Sequence, residues 1–505
     1  MTQGRLDYIT SNRIDYLALK KYDHDVYDLL SPLWDLDVFR ERLLKSDFEC
    51  YEKRTPTVSA MERHLQDMLA FRVVKRAQNV KFCMKLFTVS KKNGLLRLIQ
   101  DCRPLNAMCH KPPRMPLDSI HEFIREILSA SLVGTSDGKS FFYQFGLGET
   151  ISPLFGAKVR GARGHHSILE MLSLPMGFSW APFLAQSFAN AMVRDLGKAW
   201  VDNFIITASS EDQYDERRHE FLRRAKELNV ELDDTVINPH RKIELLGMFF
   251  DLDLKQYRLA DDFVAKATKV IDGLLCGSDP TGLSALEAIG SIVWFSYVTA
   301  RPLCRVPHIM VLLREIASSG WDKSVTLNQE VRSEMDELRS LIAENAFCSP
   351  QVRSPVEITV EGDASDDLAA YIIYRESQVL TGLIRPTHAE HIFLSELDIA
   401  IEGCLKAYDM GYRGVEYRGD NMPSLVAIKK RLSSNFTANR RLSRLPADLT
   451  IATTYVPSAE NLADPFTRGA YLPTLPSTMQ EVKLIHERFR ATPFNAPNGL
   501  GPRRA

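Results

Sequence analysis

Two aspartates set against apolar runs constrain this chain more than any other feature of its sequence. Asp137 closes SLVGTSD and precedes the aromatic run FFYQF, and Asp202 sits inside WVDNFII with apolar residues on both sides. Apolar runs of this length read as buried strands. A carboxylate buried with them is costly unless it surfaces at the strand end or meets a cation. If the two strands are neighbours, their carboxylates form an oxygen-ligand site suited to Mg²⁺ and to two-metal phosphoryl transfer. Taken singly, each Asp serves equally well as a strand cap or a hairpin residue.

The rest of the chain alternates in texture. At 505 residues it is long for one core, and two to four domains are expected. Residues 1–80 are charged with helical stretches, and MERHLQDMLAFRVVKRA (61–77) predicts a helix from its apolar spacing. From 81 onward short strand-like runs take over. FCMKLFTVS, KKNG and LLRLIQ read as a hairpin around Asn-Gly. Further strands are predicted at SLVGTSDG, KAWVDNFIITA and IELLGMFFDL, with helices at 182–197 and 211–229. Residues 260–345 read as mainly helical, VEITVEGDAS (356–365) opens a second α/β pattern running to about 470, and TPFNAPNGLGPRRA predicts a mobile tail.

Composition excludes several classes. No apolar run approaches the roughly 20 residues that span a bilayer, and MTQGRLDYITSNRIDYLALK lacks the regions of a secretory signal. An intracellular location, cytoplasmic or nuclear, without membrane association is the expectation. The eight cysteines are scattered singly, with no zinc spacing, and read as reduced thiols. The net charge of −1 is unusual for a nucleic-acid enzyme, because phosphate binding rests on Lys and Arg. The densest basic stretch is Lys429, Lys430 and Arg431 followed by Arg440, Arg441 and Arg444, either a solvated face or a local nucleic-acid grip.

A second acidic set recurs toward the C-terminus. Asp363 ends VEITVEGD, and Glu396 lies in FLSELDIAIEGCLKAY, where Leu394, Leu397, Ile401, Leu405 and Tyr408 mark a helix face. Ala400 and Gly403 follow Glu396 at near-helical spacing and allow that helix to approach a sheet. Asp420 ends GVEYRGD, and Asp464 lies in ENLADPFTRG. Converging carboxylates repel one another unless cations fill the gap, an arrangement suited to metal-assisted phosphodiester hydrolysis.

In these motifs the chain resembles the reverse transcriptases of retroelements, with gypsy-type LTR elements and the tyrosine-recombinase elements of DIRS and VIPER type nearest. LFTVSKKNGLLRLIQDCRPLN (86–106) resembles the fingers hairpin, DGKSFFYQF (137–145) motif A, LPMGFSWAPFLAQ (174–186) motif B, WVDN (200–203) motif C and ELLGMFFD (244–251) the element before the thumb. The series D-A-S, E, G-D-N and N-L-A-D-x-x-x-R resembles the RNase H domain that follows such polymerases.

The resemblance implies an α+β fold, a right-hand polymerase with fingers, palm and thumb followed by an RNase H-like α/β domain. It divides the chain into a helical extension (1–80), fingers and palm (81–255), a helical thumb and connection (256–350), the RNase H-like domain (351–470) and a flexible tail (471–505). It further implies an RNA-directed DNA polymerase with RNase H activity. The partners would be an RNA template, a DNA primer, dNTPs and RNA–DNA hybrid, with Mg²⁺ or Mn²⁺ as cofactor. Asp137 and Asp202 would hold the polymerase metals, and Asp363, Glu396, Asp420 and Asp464 those of the nuclease. Lys91 and Arg97 would meet the triphosphate, Phe142 would exclude a ribose 2′-hydroxyl, Met176 would pack beside the nucleotide, and Gly177 would let the backbone approach it.

Three departures stand out. Motif C commonly carries a second aspartate where this chain has Asn203, which removes one negative charge and predicts reduced activity. No His precedes Asp464, and Pro465 directly follows it, a position compatible only with a helix's first turn. The competing reading is a domesticated or decayed copy that binds RNA or a ribonucleoprotein without polymerase activity.

Overall fold

The computed structural model describes residues 5–491 apart from 8–9, 46–57, 60, 92–93, 161–164, 278, 351–353, 388–390 and 469–475. Cys50, the turn residues Lys92 and Asn93, and the tail beyond 491 therefore lie outside the described residues. The chain divides into two units, one of residues 1–243 with 250–256 and one of 244–249 with 257–505.

The first unit opens with three short helices, α1 (Tyr16–Tyr22), α2 (His24–Leu30) and α3 (Leu36–Leu43), each started by an Asp side chain that accepts backbone N–H groups. After a two-residue strand β1 (Val58–Ser59), the predicted helix over 61–77 is only partly formed. Helix α4 spans Leu65–Ala70, Arg72 turns into the left-handed region, and Val74–Ala77 becomes strand β2. Val73 and Val74 are fully buried, and β-branched residues there pack better on a sheet than in a helix.

The hairpin of β3 (Leu86–Ser90) and β4 (Leu96–Gln100) is antiparallel with Val89 opposite Arg97. The short helix α5 (Arg103–Met108) and then α6 (Ile120–Ser129) follow. Ser119 and Glu122 close a capping box on α6, and its Ile120, Phe123, Ile124, Ile127 and Leu128 are buried. Strand β5 (Leu132–Asp137) comes next. β6 (Gly156–Arg160) and β7 (His166–Met171) join β1 and β2 in one sheet.

Helix α7 (Ala181–Met192) leads into β8 (Gly197–Trp200) and β9 (Asn203–Ala208), and β5, β9 and β8 form an antiparallel sheet in that order. Helix α8 (Glu211–Glu227) covers it, with the Phe221 and Phe204 rings 5.3 Å apart. The predicted run IELLGMFFDL is two strands, β10 (Lys242–Leu245) and β11 (Met248–Asp251), because Leu246 and Gly247 both take positive φ between them; β12 (Gln256–Leu259) follows.

In the second unit four helices come first: α9 (Asp261–Cys276), α10 (Gly282–Val298), α11 (Pro307–Ser319) and α12 (Gln329–Glu344). A mixed sheet follows, of β13 (Ile358–Ala364), β14 (Leu368–Arg375), β15 (Gln378–Pro386), β16 (Gly414–Gly419) and β17 (Thr450–Tyr455), in the order β15-β14-β13-β16-β17. The first three strands run antiparallel, whereas β13, β16 and β17 are parallel. Parallel neighbours need a crossover, and α13 (Ile392–Asp409) lies on the one that returns the chain from β15 to place β16 beside β13.

Helix α13 packs on β13 and β14 through its small-residue face. A Cβ at Gly403 would stand 2.6 Å from Val360 Cγ1 and 3.2 Å from Tyr371 Cγ, so only glycine lets the helix sit this close. Helices α14 (Met422–Lys430) and α15 (Phe436–Leu442) join β16 to β17, and the one-turn helix α16 (Asp464–Thr467) carries Pro465 in its first turn. The segment predicted as a flexible tail contains a further helix, α17 (Met479–Ala491), whose Met479 and Val482 are buried with Ile372, Val379 and Phe466. These apolar anchors outweigh its polar composition.

Candidate active sites

In the first unit the sheet register does the positioning. Asp137 pairs with Asn203 across β5 and β9, and Trp200 pairs with Asn203 across β8 and β9, so Val201 and Asp202 form a two-residue hairpin turn. The Gly138 N–H donates to the Asp202 carbonyl at 2.7 Å, which brings the two aspartates to one sheet end. Val201 has φ +56°, a strained conformation for a β-branched residue. Gln186, fully buried on α7, holds the turn: its Oε1 accepts the Val201 N–H at 2.6 Å and its Nε2 donates to the Ala199 carbonyl at 2.9 Å.

A third carboxylate completes this end. The Asp233 N–H donates to the Asp137 carbonyl at 2.8 Å. Partial desolvation, then the charges of Asp202 and Asp233, raise the Asp137 carboxyl above its usual range. Burial also raises Asp202; its own backbone hydrogen bond and the nearby Arg97 and Lys91 oppose that shift, and Asp233 adds to it. Asn203 Nδ2 reaches Asp202 Oδ1 only at 3.5 Å, a weak contact.

The surrounding predicted residues differ in exposure. Arg97 is exposed on β4, while Lys91 pairs with Asp7 at the β3–β4 turn. Phe142 is partly exposed between buried Phe141 and Tyr143. Met176 is half-buried, and its carbonyl accepts the Gln100 N–H at 3.0 Å. Gly177 has φ +123°, and a Cβ there would collide with the Gln100 carbonyl oxygen. Asn106 fastens this loop, its Nδ2 donating to the Gly177 carbonyl at 2.9 Å and its Oδ1 accepting the Ser179 N–H at 2.9 Å.

The second unit gathers the other four acids. Asp363 is the penultimate residue of β13, Glu396 projects from α13, Asp420 follows β16 and Asp464 opens α16. One carboxylate oxygen from each of Asp363, Glu396 and Asp420 lies within 4.8 Å of the others. Glu396 Oε1 accepts the Ala364 N–H at 3.2 Å, and Asp363 accepts from the Thr467 hydroxyl and, at 3.3 Å, from Asn461 Nδ2. The Ser458 hydroxyl donates to Asp420. Asp464 is fully buried and held by two guanidinium groups, Arg468 Nε at 2.6 Å and Arg490 Nη2 at 3.1 Å.

Burial pushes the Glu396 carboxyl up to about 9, helped by the charges of Asp363 and Asp420. Burial likewise pushes Asp363 up to about 7, against the Thr467 hydrogen bond and with the charges of Asp420 and Asp464. Three close carboxylates, of which Asp363 and Glu396 are buried, offer only hard oxygen donors and fit a divalent cation such as Mg²⁺ or Mn²⁺.

The basic run divides. Lys429, Lys430, Arg440 and Arg444 are exposed. Arg431 is turned inward, donating to the carbonyls of Leu445, Pro446 and Leu449, and Arg441 pairs with Asp398 at 2.8 Å and donates to the Leu394 carbonyl at 2.9 Å. Arg431 holds the 445–449 loop and Arg441 ties α15 to α13, which corrects their expected place in a nucleic-acid surface. Every described cysteine is a free thiol. Among the described residues, no helix is long and apolar enough to cross a membrane.

Sequence reasoning missed Gln186, Asp233, Asn461, Ser458, Thr467 and Arg490. Thr467 and Asn461 lie inside the quoted N-L-A-D-x-x-x-R stretch and carried a local signal. Gln186 closes the quoted stretch LPMGFSWAPFLAQ and was marked in the same way, whereas Asp233, Ser458 and Arg490 lie outside every quoted motif and carried none.

These arrangements define a class: an α+β right-hand polymerase fold followed by an RNase H-like fold. Solved structures share it. The foamy viral protease-reverse transcriptase dRH in complex with double-stranded DNA superposes with a TM-score of 0.51 at 14% identity, covering 94% of this chain and 85% of that one. The foamy viral protease-reverse transcriptase in complex with RNA/DNA hybrid gives 0.51 at 14% identity, covering 90% and 63%. Residues 89–248 match the family model described as reverse transcriptase (RNA-dependent DNA polymerase). The Tf2-7 and Tf2-3 transposon polyproteins of Schizosaccharomyces pombe are 24% and 23% identical over 243 residues. The match covers 46% of this chain but only 17% of either relative. In its fold, its matched region and its relatives, the chain is similar to the reverse transcriptases of retroelements.

Proposed function

We propose that this chain is an RNA-directed DNA polymerase joined to a ribonuclease H, copying retroelement RNA and degrading the RNA strand of the hybrid. The observation that carries the reading is the β5–β9 register, which sets Asp137 beside the Asp202 turn within the region matched by the reverse transcriptase model. In this reading residues 81–255 are fingers and palm, 256–350 thumb and connection, and 351–470 the nuclease. Asp137 and Asp202 would hold divalent ions at the polymerase site, and Asp363, Glu396 and Asp420 would hold them at the nuclease site. Such ions, when bound, supply charge neutralisation at the phosphate and an activated oxygen nucleophile.

The chain's own side chains do the rest. Arg97 and Lys91 orient the triphosphate, the first as a planar fork and the second as a point charge. Lys91, which pairs with Asp7 in this structure, would exchange that carboxylate for the phosphates. Phe142 fills the space a ribose 2′-hydroxyl would need. Gly177, without a side chain, admits the nucleotide against the backbone. In the nuclease, Thr467 and Asn461 orient Asp363, and the Ala364 N–H orients Glu396. The exposed Lys429, Lys430, Arg440 and Arg444 grip the hybrid backbone, whose A-like shape is read in place of sequence.

A second reading, a decayed copy that binds RNA without polymerising, is favoured by Asn203 in the turn. Primer extension on an RNA template, with Mg²⁺ and Mn²⁺ in parallel, separates the two. Extension lost in Asp137→Asn supports the polymerase; no extension by the wild type with either ion removes it. Digestion of a labelled RNA–DNA hybrid, lost in Asp363→Asn, tests the nuclease alone.

A further inference from the structure

Helix α17 lies beyond the four-acid pattern, yet its last turn reaches into the acidic pocket. At its start, the Val379 N–H donates to the Ser477 carbonyl at 3.1 Å and the Met479 N–H to the Ser377 carbonyl at 2.8 Å, which fixes the helix to the β14–β15 turn. Met479 and Val482 are buried beside Phe466 of α16. At its far end Arg490 Nη2 makes two contacts: Asp464 Oδ2 at 3.1 Å and the Ser458 carbonyl. The hydroxyl of that same Ser458 donates to Asp420. One guanidinium therefore clamps the backbone that orients Asp420 and neutralises the fully buried Asp464.

We infer that Arg490 is a positioning residue for the nuclease cation site, acting on Asp420 through Ser458 and on Asp464 directly. The inference rests on the nuclease reading above. An ion pair placed only for stability would need Asp464 alone; the contact to Ser458 ties the helix to a carboxylate of the ion-holding triad. Groups that orient metal ligands from behind change metal affinity by roughly 10–100-fold when removed. Arg468, which holds the other oxygen of Asp464, keeps that carboxylate paired in the absence of Arg490.

The test uses the full chain carrying Asp137→Asn and Asp202→Asn, so that the polymerase site contributes no ion binding. Mn²⁺ alone is titrated by calorimetry, and cleavage of an RNA–DNA hybrid is followed in parallel. Arg490→Ala should weaken Mn²⁺ binding at least roughly 10-fold, and Arg490→Lys should recover part of it, since a lysine reaches one of the two acceptors. Unchanged Mn²⁺ affinity in a folded Arg490→Ala protein overturns the inference. If that variant unfolds, Ser458→Ala carries the test: it removes only the hydroxyl on Asp420, and unaltered affinity overturns the proposal equally. The underlying reading fails separately, if adding Asp363→Asn leaves Mn²⁺ binding unaffected.

Discussion

Glu396→Gln should stabilise the protein in the absence of divalent ions. Glu396 is 4% exposed, and its carboxyl is pushed from an ordinary 4.5 to about 9. A carboxyl with a higher pKa folded than unfolded holds its proton more tightly in the folded chain. Stability then falls as pH rises from near the unfolded value toward the folded one, and levels off beyond it. At pH 7 the imbalance spans about 2.5 pH units, on the order of 3 kcal/mol at about 1.4 kcal/mol per unit.

Glutamine has the same shape, keeps an oxygen for the Ala364 N–H and carries no proton to lose. In a chelator-containing buffer its melting temperature at pH 7 should therefore exceed the wild type's, by roughly 6–12 °C at 2–4 °C per kcal/mol. Its decline between pH 5 and 9 should be shallower; Asp363, shifted in the same direction, leaves a residual slope. The wild type should gain stability on addition of Mg²⁺ or Mn²⁺, and the variant should gain much less. Melting followed by differential scanning fluorimetry across pH, with and without the ion, checks all three. A variant that melts lower than the wild type in chelator, with the same pH slope, would refute the electrostatic reasoning.

Other expectations concern the first unit. Asn203→Asp restores a charge beside Asp202 and should raise Mg²⁺-dependent extension several-fold, equivalent to about 1 kcal/mol of barrier; an equal or lower rate in single-nucleotide extension counts against it. Phe142→Val opens space at a partly exposed ring and should reduce discrimination against ribonucleotides by roughly 10–200-fold, read as the ratio of kcat/KM for ribo- and deoxynucleotides. Gly177→Ala combines φ +123° with a collision against the Gln100 carbonyl and should cost roughly 1–3 kcal/mol of stability and most extension activity. A normal melting temperature and rate would show that the loop readily rearranges.

The strands that end in carboxylates were legible because an apolar run broken by Asp has few other uses. The run VEITVEGD appears as β13 where its patterning indicates, whereas KAWVDNFIITA, read from patterning as one strand, is the two strands β8 and β9 that the motif resemblance implied. Helix α13 was legible from its face and its small residues. What escaped was set by partners distant in sequence. Gln186 satisfies the turn at Val201, and Arg490 meets Asp464, through contacts that no local pattern encodes. Orientation within a charge run was equally hidden: Arg431 and Arg441 look like their neighbours in the sequence but spend their donors on carbonyls and Asp398. In 61–77 the helical spacing held only until two adjacent valines met a sheet edge, and tertiary burial overrode local periodicity.

The missing side chain at Gly403 reaches further than its own position. Glu396 lies seven residues, or about two turns, earlier on the same helix. Because an α-helix is stiff over two turns, whatever lifts α13 from the sheet at Gly403 swings its other end. The aim of the acid is thus fixed by a close approach elsewhere, and even one added methyl group would act as a lever, with the sheet as its fulcrum.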